Sequence, residues 1–228
     1  MPDTDIVNPR HLLLATDLSA RCDRASDRAL ALARAWNAKL TVVHALDVVA
    51  IPSDNQPSVS DAAVRATRVL HADFGEVQDV PLSLRVGEGR PDDVVLDIAS
   101  NQGCDLIITG IAGNDPFGQP LIGGTVTALA RRAKVPVLVV KSRPRAAYRQ
   151  VVVATDLSRA SVCAIQTALK LFTPEQLTLF HAFDIPFANW VEDKIRNERE
   201  WHAAALREIR AFLADIVQKD VAVRRQGF

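Results

Sequence analysis

Short apolar runs alternate along the chain with longer segments in which apolar residues recur every three or four positions. His11-Leu12-Leu13-Leu14-Ala15-Thr16, residues 40–46, Leu106-Ile107-Ile108-Thr109 and Val135-Pro136-Val137-Leu138-Val139-Val140 are compact runs, the size of strands buried on both faces. Leu82-Ser83-Leu84-Arg85-Val86 alternates and predicts a further strand. Between these runs, Ala25, Ala29, Leu32, Ala33 and Trp36 fall at helical spacing, as do Val64, Thr67, Leu70 and Phe74, and then Val94, Val95, Ile98 and Ala99. A last helical pattern covers residues 126–133. Pro91 stands where it can open the third helix.

Strands and helices alternating at this length predict parallel βαβ units with helices on both faces. Ligands of such sheets bind beyond the carboxyl ends of the strands. Asp17, His44-Ala45 and Gly110 all lie at or just past predicted strand ends, so three separate segments point toward one rim. Gly110 and Gly113 follow the fourth predicted strand, and after nine residues Gly123-Gly124-Thr125 opens a helix. This is an arrangement suited to phosphate: glycine allows close approach, backbone N–H groups converge, and a helix N-terminus favours negative charge.

Residues 141–145, polar, basic and proline-bearing, predict a linker. After it the pattern restarts. Val151-Val152-Val153-Ala154-Thr155-Asp156-Leu157-Ser158 repeats residues 12–19, and Leu177-Thr178-Leu179-Phe180-His181-Ala182-Phe183-Asp184 repeats residues 40–47, which indicates a tandem duplication. Residues 189–219 predict one long amphipathic helix, and residues 220–225 the start of a short strand. Nothing after residue 148 matches residues 92–140. The expected organisation is therefore a complete domain over 1–143 and a partial copy over 144–228.

Composition narrows the function. Lys+Arg and Asp+Glu both number 27 in the 228 residues, so the formal net charge is zero, with no global attraction to nucleic acid or anionic membrane. Aromatic residues are 5% of the chain, too few for a base-stacking platform. Cys22, Cys104 and Cys163 form no CxxC pair; with no secretory pattern at the start and no apolar run of membrane length, they predict a cytoplasmic protein with buried, unpaired thiols. No His/Cys cluster has metal-ligand spacing, and His44 and His181, at equivalent positions of the repeat, predict satisfied histidines at the edge of the core.

The set Ala15-Thr16-Asp17-Leu18-Ser19, His44-Ala45, Gly-x2-Gly-x9-Gly from Gly110, and the closing Val135–Val140 run resembles the universal stress protein family. The resemblance covers residues 11–140 fully and 150 to about 225 in part. It implies an open parallel five-stranded sheet of order 3-2-1-4-5, pairing of two chains through the Val135–Val140 strand, and, as in one subgroup of the family, an ATP site, with Mg²⁺ as a possible companion. Asp17 then reaches the nucleotide, with Ala15 and Thr16 lining the same turn. The backbone at Ala45 meets adenine. Thr109, Gly110, Gly113, Gly123, Gly124 and Thr125 make the phosphate loop. Gly124 departs from the pattern, standing where the family usually has Ser or Thr, so Thr125 is the neighbouring source of a hydroxyl. The loop of residues 114–122 holds Asp115 and none of the basic residues that ATP-binding members carry there, which implies weaker binding or a less charged adenine nucleotide.

The functional expectation is a stress-response protein whose first domain takes an adenine nucleotide as a regulatory ligand. No Walker lysine follows the glycines and no general base sits in a motif, so no catalytic residue is assigned and turnover is at most slow ATP hydrolysis. The alternative is a nucleotide-free module of the same fold, acting by dimerisation or partner binding. Asp17 also has a structural reading, as N-cap of the first helix.

Overall fold

The computed structural model describes residues 8–47, 59–111, 113–114, 120–183 and 194–226. They fall into two compact units, one over residues 8–147 and the other within 148–228.

In the first unit, β1 (His11–Thr16), α1 (Asp23–Trp36), β2 (Lys39–Leu46), α2 (Val59–Phe74), β3 (Leu82–Glu88), α3 (Pro91–Asn101) and β4 (Leu106–Gly110) follow in order. The two-residue strands β5 (Gly113–Asn114) and β6 (Pro120–Leu121) come next, then α4 (Gly124–Arg132) and β7 (Val137–Val140). The main sheet has the order β3-β2-β1-β4-β7 and every pairing in it is parallel. That is the expected five-stranded sheet of order 3-2-1-4-5. The glycine segment, expected as plain loop, carries an antiparallel pairing of Gly113 with Leu121 and Asn114 with Pro120.

The alternation of strand side chains explains the layers. Leu13, Ala15, Val43 and Ile107 turn to the face packed by Val94, Val95, Ala99 and Leu129 of α3 and α4. The opposite side chains, Leu12, Leu14, Leu40, Val42 and Ile108, are also fully buried, on the side of α1 and α2. Each such side chain contributes roughly 1.5–3 kcal/mol by leaving water. Helix α1 can lie close because its sheet-facing positions include Ala25, Ala29 and Ala33. It stops at Asn37, whose left-handed conformation (φ 51°) lets its N–H and the next one close the last turn. Gly87 is required by packing: a Cβ there would collide with Val94 of α3.

At the amino ends of the strands, the Asp105 carboxylate accepts from the backbone N–H groups of Arg10 (2.8 Å) and His11 (2.9 Å). The His11 Nε2 lies 2.8 Å from Thr41 Oγ1, whose hydroxyl donates to Gln102. Burial is the main reason the His11 imidazole titrates below its ordinary value. The expected linker is not free chain. Arg143 pairs with Asp27 at 2.8 Å, Arg24 donates to the Lys141 carbonyl and Arg28 to that of Ala146, so residues 141–146 are strapped to α1.

In the second unit, β8 (Val151–Thr155), α5 (Arg159–Leu171), a 3₁₀ turn (Pro174–Gln176), β9 (Leu177–His181) and α6 (Lys194–Gln226) follow. β8 and β9 pair in parallel. Val153, Ile165, Ala168 and Ile216 form its core, with Phe212 of α6 against them. The strand expected over residues 220–225 is instead helix, because α6 runs on to Gln226; no Gly or Pro interrupts it before Gly227. The expected helix start, residues 189–193, lies outside the described residues. No described helix is long and apolar enough to cross a membrane.

Candidate functional site

A cleft of about 270 Å³ opens at the carboxyl ends of β1, β2 and β4. It sits where strand order reverses, since the chain builds outward from β1 to β3 and then crosses to β4 on the other side. Ala15, Thr16, Asp17, Ala45, Thr109, Gly110, Gly123, Gly124 and Thr125 all line it. Gly113 is placed in β5, with its backbone paired to Leu121. The sequence reading assigned no site role to Cys22, Val43, Pro91, Val95, Ile111 or Val126, which also line the cleft, and took His44 for a core-edge residue.

The turn after β1 is built by side chains returning to their own backbone. Thr16 Oγ1 accepts from Leu18 N (3.0 Å), and Asp17 Oδ1 accepts from Ser19 N (2.9 Å) and Ser19 Oγ (2.6 Å). Leu18 is held at φ 60°, a conformation costly for a residue with a Cβ and one that clusters at ligand clamps. These bonds correct the capping expectation. Asp17 forms an Asx turn, whereas α1 begins only at Asp23, after an N-cap at Cys22 with no side-chain cap. Partial burial pushes the Asp17 carboxyl up, but hydrogen bonds from Ser19 and Cys22 and the charge of Arg21 outweigh it, leaving the group below the ordinary carboxylate range. Asp17 is therefore an anion at neutral pH. The Arg21 pair, 4.0 Å apart and largely exposed, adds little.

His44 Nδ1 lies 3.0 Å from the Thr16 carbonyl, tying the ends of β2 and β1 together. Cys22 is buried beside Gly110, with its thiol pushed above its usual range chiefly by burial. Cys104 is also buried and is raised to about 11 by burial. Cys163, expected buried, is exposed, because it falls on the outer side of α5.

The opposite wall is the start of α4. Gly123 is its N-cap, followed by Gly124 and Thr125 in the first turn, so their N–H groups face outward along the helix axis. A Cβ added at Gly124 would meet nothing within 4 Å. One added at Gly110 would stand at 3.7 Å from Arg21 O and Cys22 Sγ, ordinary contact. Neither glycine has the left-handed conformation that only glycine favours. Protein packing thus does not demand glycine at either place; the space beside them belongs to the cleft. Among the described lining residues there is no Lys or Arg. Helices α3 and α4 are clipped together where Arg132 of α4 reaches Asp92 (2.6 Å) and Asp93 (2.7 Å) of α3.

The second unit repeats the β1 turn in atomic detail. Thr155 Oγ1 accepts from Leu157 N (2.9 Å), Asp156 Oδ1 accepts from Ser158 N (2.9 Å), and His181 Nδ1 lies 2.8 Å from the Thr155 carbonyl. Leu157 has φ 62°. A groove there is lined by Thr155, Asp156, Ser161, Phe180, His181 and Ala182. It has no counterpart of α3, the glycine segment or α4 among the described residues.

An open parallel sheet wound on both faces, with a cleft at its switch point between an Asx turn and a glycine-opened helix, defines a doubly wound α/β domain. Its motifs have a counterpart among known proteins: the universal stress protein family profile matches residues 8–141, and the chain belongs to that family. It is 31% identical over 135 residues to the universal stress protein in the QAH/OAS sulfhydrylase 3' region of Thermus aquaticus, covering 57% of this chain and 97% of the relative. It is 28% identical over 141 residues to a universal stress protein A homolog of Haemophilus influenzae, covering 59% and 97%. A crystal structure of a universal stress protein in complex with cAMP superposes with a TM-score of 0.43 at 27% identity, covering 59% of this chain and 98% of that one.

Proposed function

We propose that residues 8–147 bind an adenine nucleotide, with ATP as the leading candidate, as a regulatory ligand in the cleft between β1, β4 and α4. The observation that carries this reading is the pair Gly110 and Gly124. Both face the cleft, and the protein's own packing would accept a side chain at each. The apolar end, Val43, Ala45, Pro91 and Val95, suits a purine. Asp17, ionised and held rigid, suits ribose hydroxyls. Backbone N–H groups at Gly124 and Thr125 suit phosphate. Because the lining offers no cation, a triphosphate needs Mg²⁺ to offset its charge.

A second role is supported by the edge position of β7, whose outer side pairs with no described strand: it can join two chains, with or without nucleotide. The repeated turn supports reading residues 144–228 as a partial second domain of the same family. Three unpaired cysteines favour a reducing, cytoplasmic setting.

The test is thermal melting with and without millimolar ATP and Mg²⁺. Saturation at about a hundred times Kd stabilises the folded state by about 2.7 kcal/mol. Gly110→Val fills the cleft and is expected to abolish the shift with its own melting transition intact. No shift for the wild type, or an undiminished shift for Gly110→Val, removes the nucleotide reading.

A further inference from the structure

Asp17 lines the cleft with its two carboxylate oxygens in different states. Oδ1 accepts twice from one residue, from the Ser19 N–H at 2.9 Å and from the Ser19 hydroxyl at 2.6 Å. Oδ2 has Arg21 4.0 Å away, beyond hydrogen-bond reach. A carboxylate has about four acceptor sites, two on each oxygen, so Ser19 fills Oδ1. The Cys22 thiol donates a third bond to the carboxyl, and with Oδ1 full that bond falls on Oδ2. One site of the four is left, on Oδ2.

The carboxylate has little freedom to turn and change this. Thr16 Oγ1 accepts from Leu18 N at 3.0 Å, and Leu18 stands at φ 60°, so the backbone carrying Asp17 is fixed on both sides. The Ser19 hydroxyl does not cap the helix that follows, since α1 has its N-cap at Cys22 and no side-chain cap. The equivalent Ser158 of the second unit divides its hydroxyl between Asp156 and α5, as the N-cap whose Oγ accepts from Ser161 N. In the first unit the same serine is turned to the carboxylate at the cleft.

A vicinal diol is gripped as a pair when each hydroxyl meets its own carboxylate oxygen. Here one oxygen has a site to give. We propose, resting on the nucleotide reading of the cleft, that Ser19 is a positioning residue for the ligand: by filling Oδ1 it leaves Asp17 to read one ribose hydroxyl through Oδ2, and not the diol as a pair.

The test is calorimetric titration of the full chain with the Mg²⁺ complexes of ATP, 2′-deoxy-ATP and 3′-deoxy-ATP. One analogue is expected to bind about tenfold more weakly than ATP, as for loss of one hydrogen bond to a charged group, and the other within about twofold of it. In Ser19→Ala, Oδ1 becomes open to the second hydroxyl, and the two analogues are expected to bind alike. Ser158→Ala removes a helix cap; it is expected to lower the melting temperature and to keep the wild-type preference. Equal affinity of the wild type for both analogues, or an unchanged preference in Ser19→Ala, overturns the proposal. A wild type that binds none of the three removes the nucleotide reading instead, and the hold of Ser19 on Asp17 is then decided by NMR titration of the Asp17 carboxyl without nucleotide. Its midpoint is expected to rise in Ser19→Ala, because the hydroxyl holds it down; an unmoved midpoint overturns that hold.

Discussion

The turn after β1 and the turn after β8 are the same structure in two settings. Each has a Thr hydroxyl and an Asp carboxylate receiving backbone N–H groups, a Leu at positive φ, and a His ring against the Thr carbonyl. In the first unit that turn is one wall of a cleft between β1, β4 and α4; in the second it rims a shallower groove. The difference teaches that the turn is set locally, by Thr-Asp-Leu-Ser and the histidine of the next strand, and survives without a cleft. The cleft itself depends on long-range elements, α3, β4 and α4, which among the described residues only the first unit assembles.

The comparison can be broken at several points. Arg132→Ala removes the main partner of Asp92, a carboxylate that is only 4% exposed. It is expected to lower stability, with Arg90 left as the remaining partner of Asp92, read as a lower midpoint in urea for the first unit and no change in the second. Asp17→Asn and Asp156→Asn test whether equal turns have equal roles. The former is expected to weaken nucleotide binding about tenfold by calorimetry, the latter to leave it unchanged; equal effects would mean the cleft is not the site.

Gly124→Ser restores the hydroxyl usual at that position and places it in open space. One added hydrogen bond of about 1 kcal/mol predicts several-fold tighter nucleotide binding, with no loss of stability because serine is the better helix former. The smallest effect concerns acid. His11 titrates lower folded than unfolded, mainly through burial. Its contribution is intact above the unfolded imidazole value of about 6.5 and is lost as pH falls through the folded value. The melting temperature is expected to drop between pH 7 and 5, and less steeply in His11→Gln. The second unit repeats His44 as His181 but has Gln150 at the position of His11.

Sheet order and helix placement were legible because both faces of the first sheet are buried, so its strands read as unbroken apolar runs and its helices as periodic stripes. Nine of the ten candidate residues line one cleft for a related reason: they lie at strand ends and beside glycines, where topology alone brings chain segments together. Other features had no local signal. Leu18 at positive φ follows from side-chain hydrogen bonds, not from any preference of leucine. Cys22 enters the cleft because α1 starts six residues after Asp17, a boundary that capping rules placed too early. The α6 terminus was misread because residues 220–225 alternate like a strand while continuing a helix. Exposure of Phe180 depends on which elements stand beside its strand, which no window of sequence records.

The strap of residues 141–146 has a consequence for how the chain is cut. A polar, arginine-rich connector reads as a substrate for trypsin, yet Arg143 is occupied by Asp27, and its neighbours are held through the carbonyls of Lys141 and Ala146. A protease needs several residues of extended, detachable backbone in its groove. Trypsin is therefore expected to cleave slowly at Arg143 and Arg145 while the strap holds.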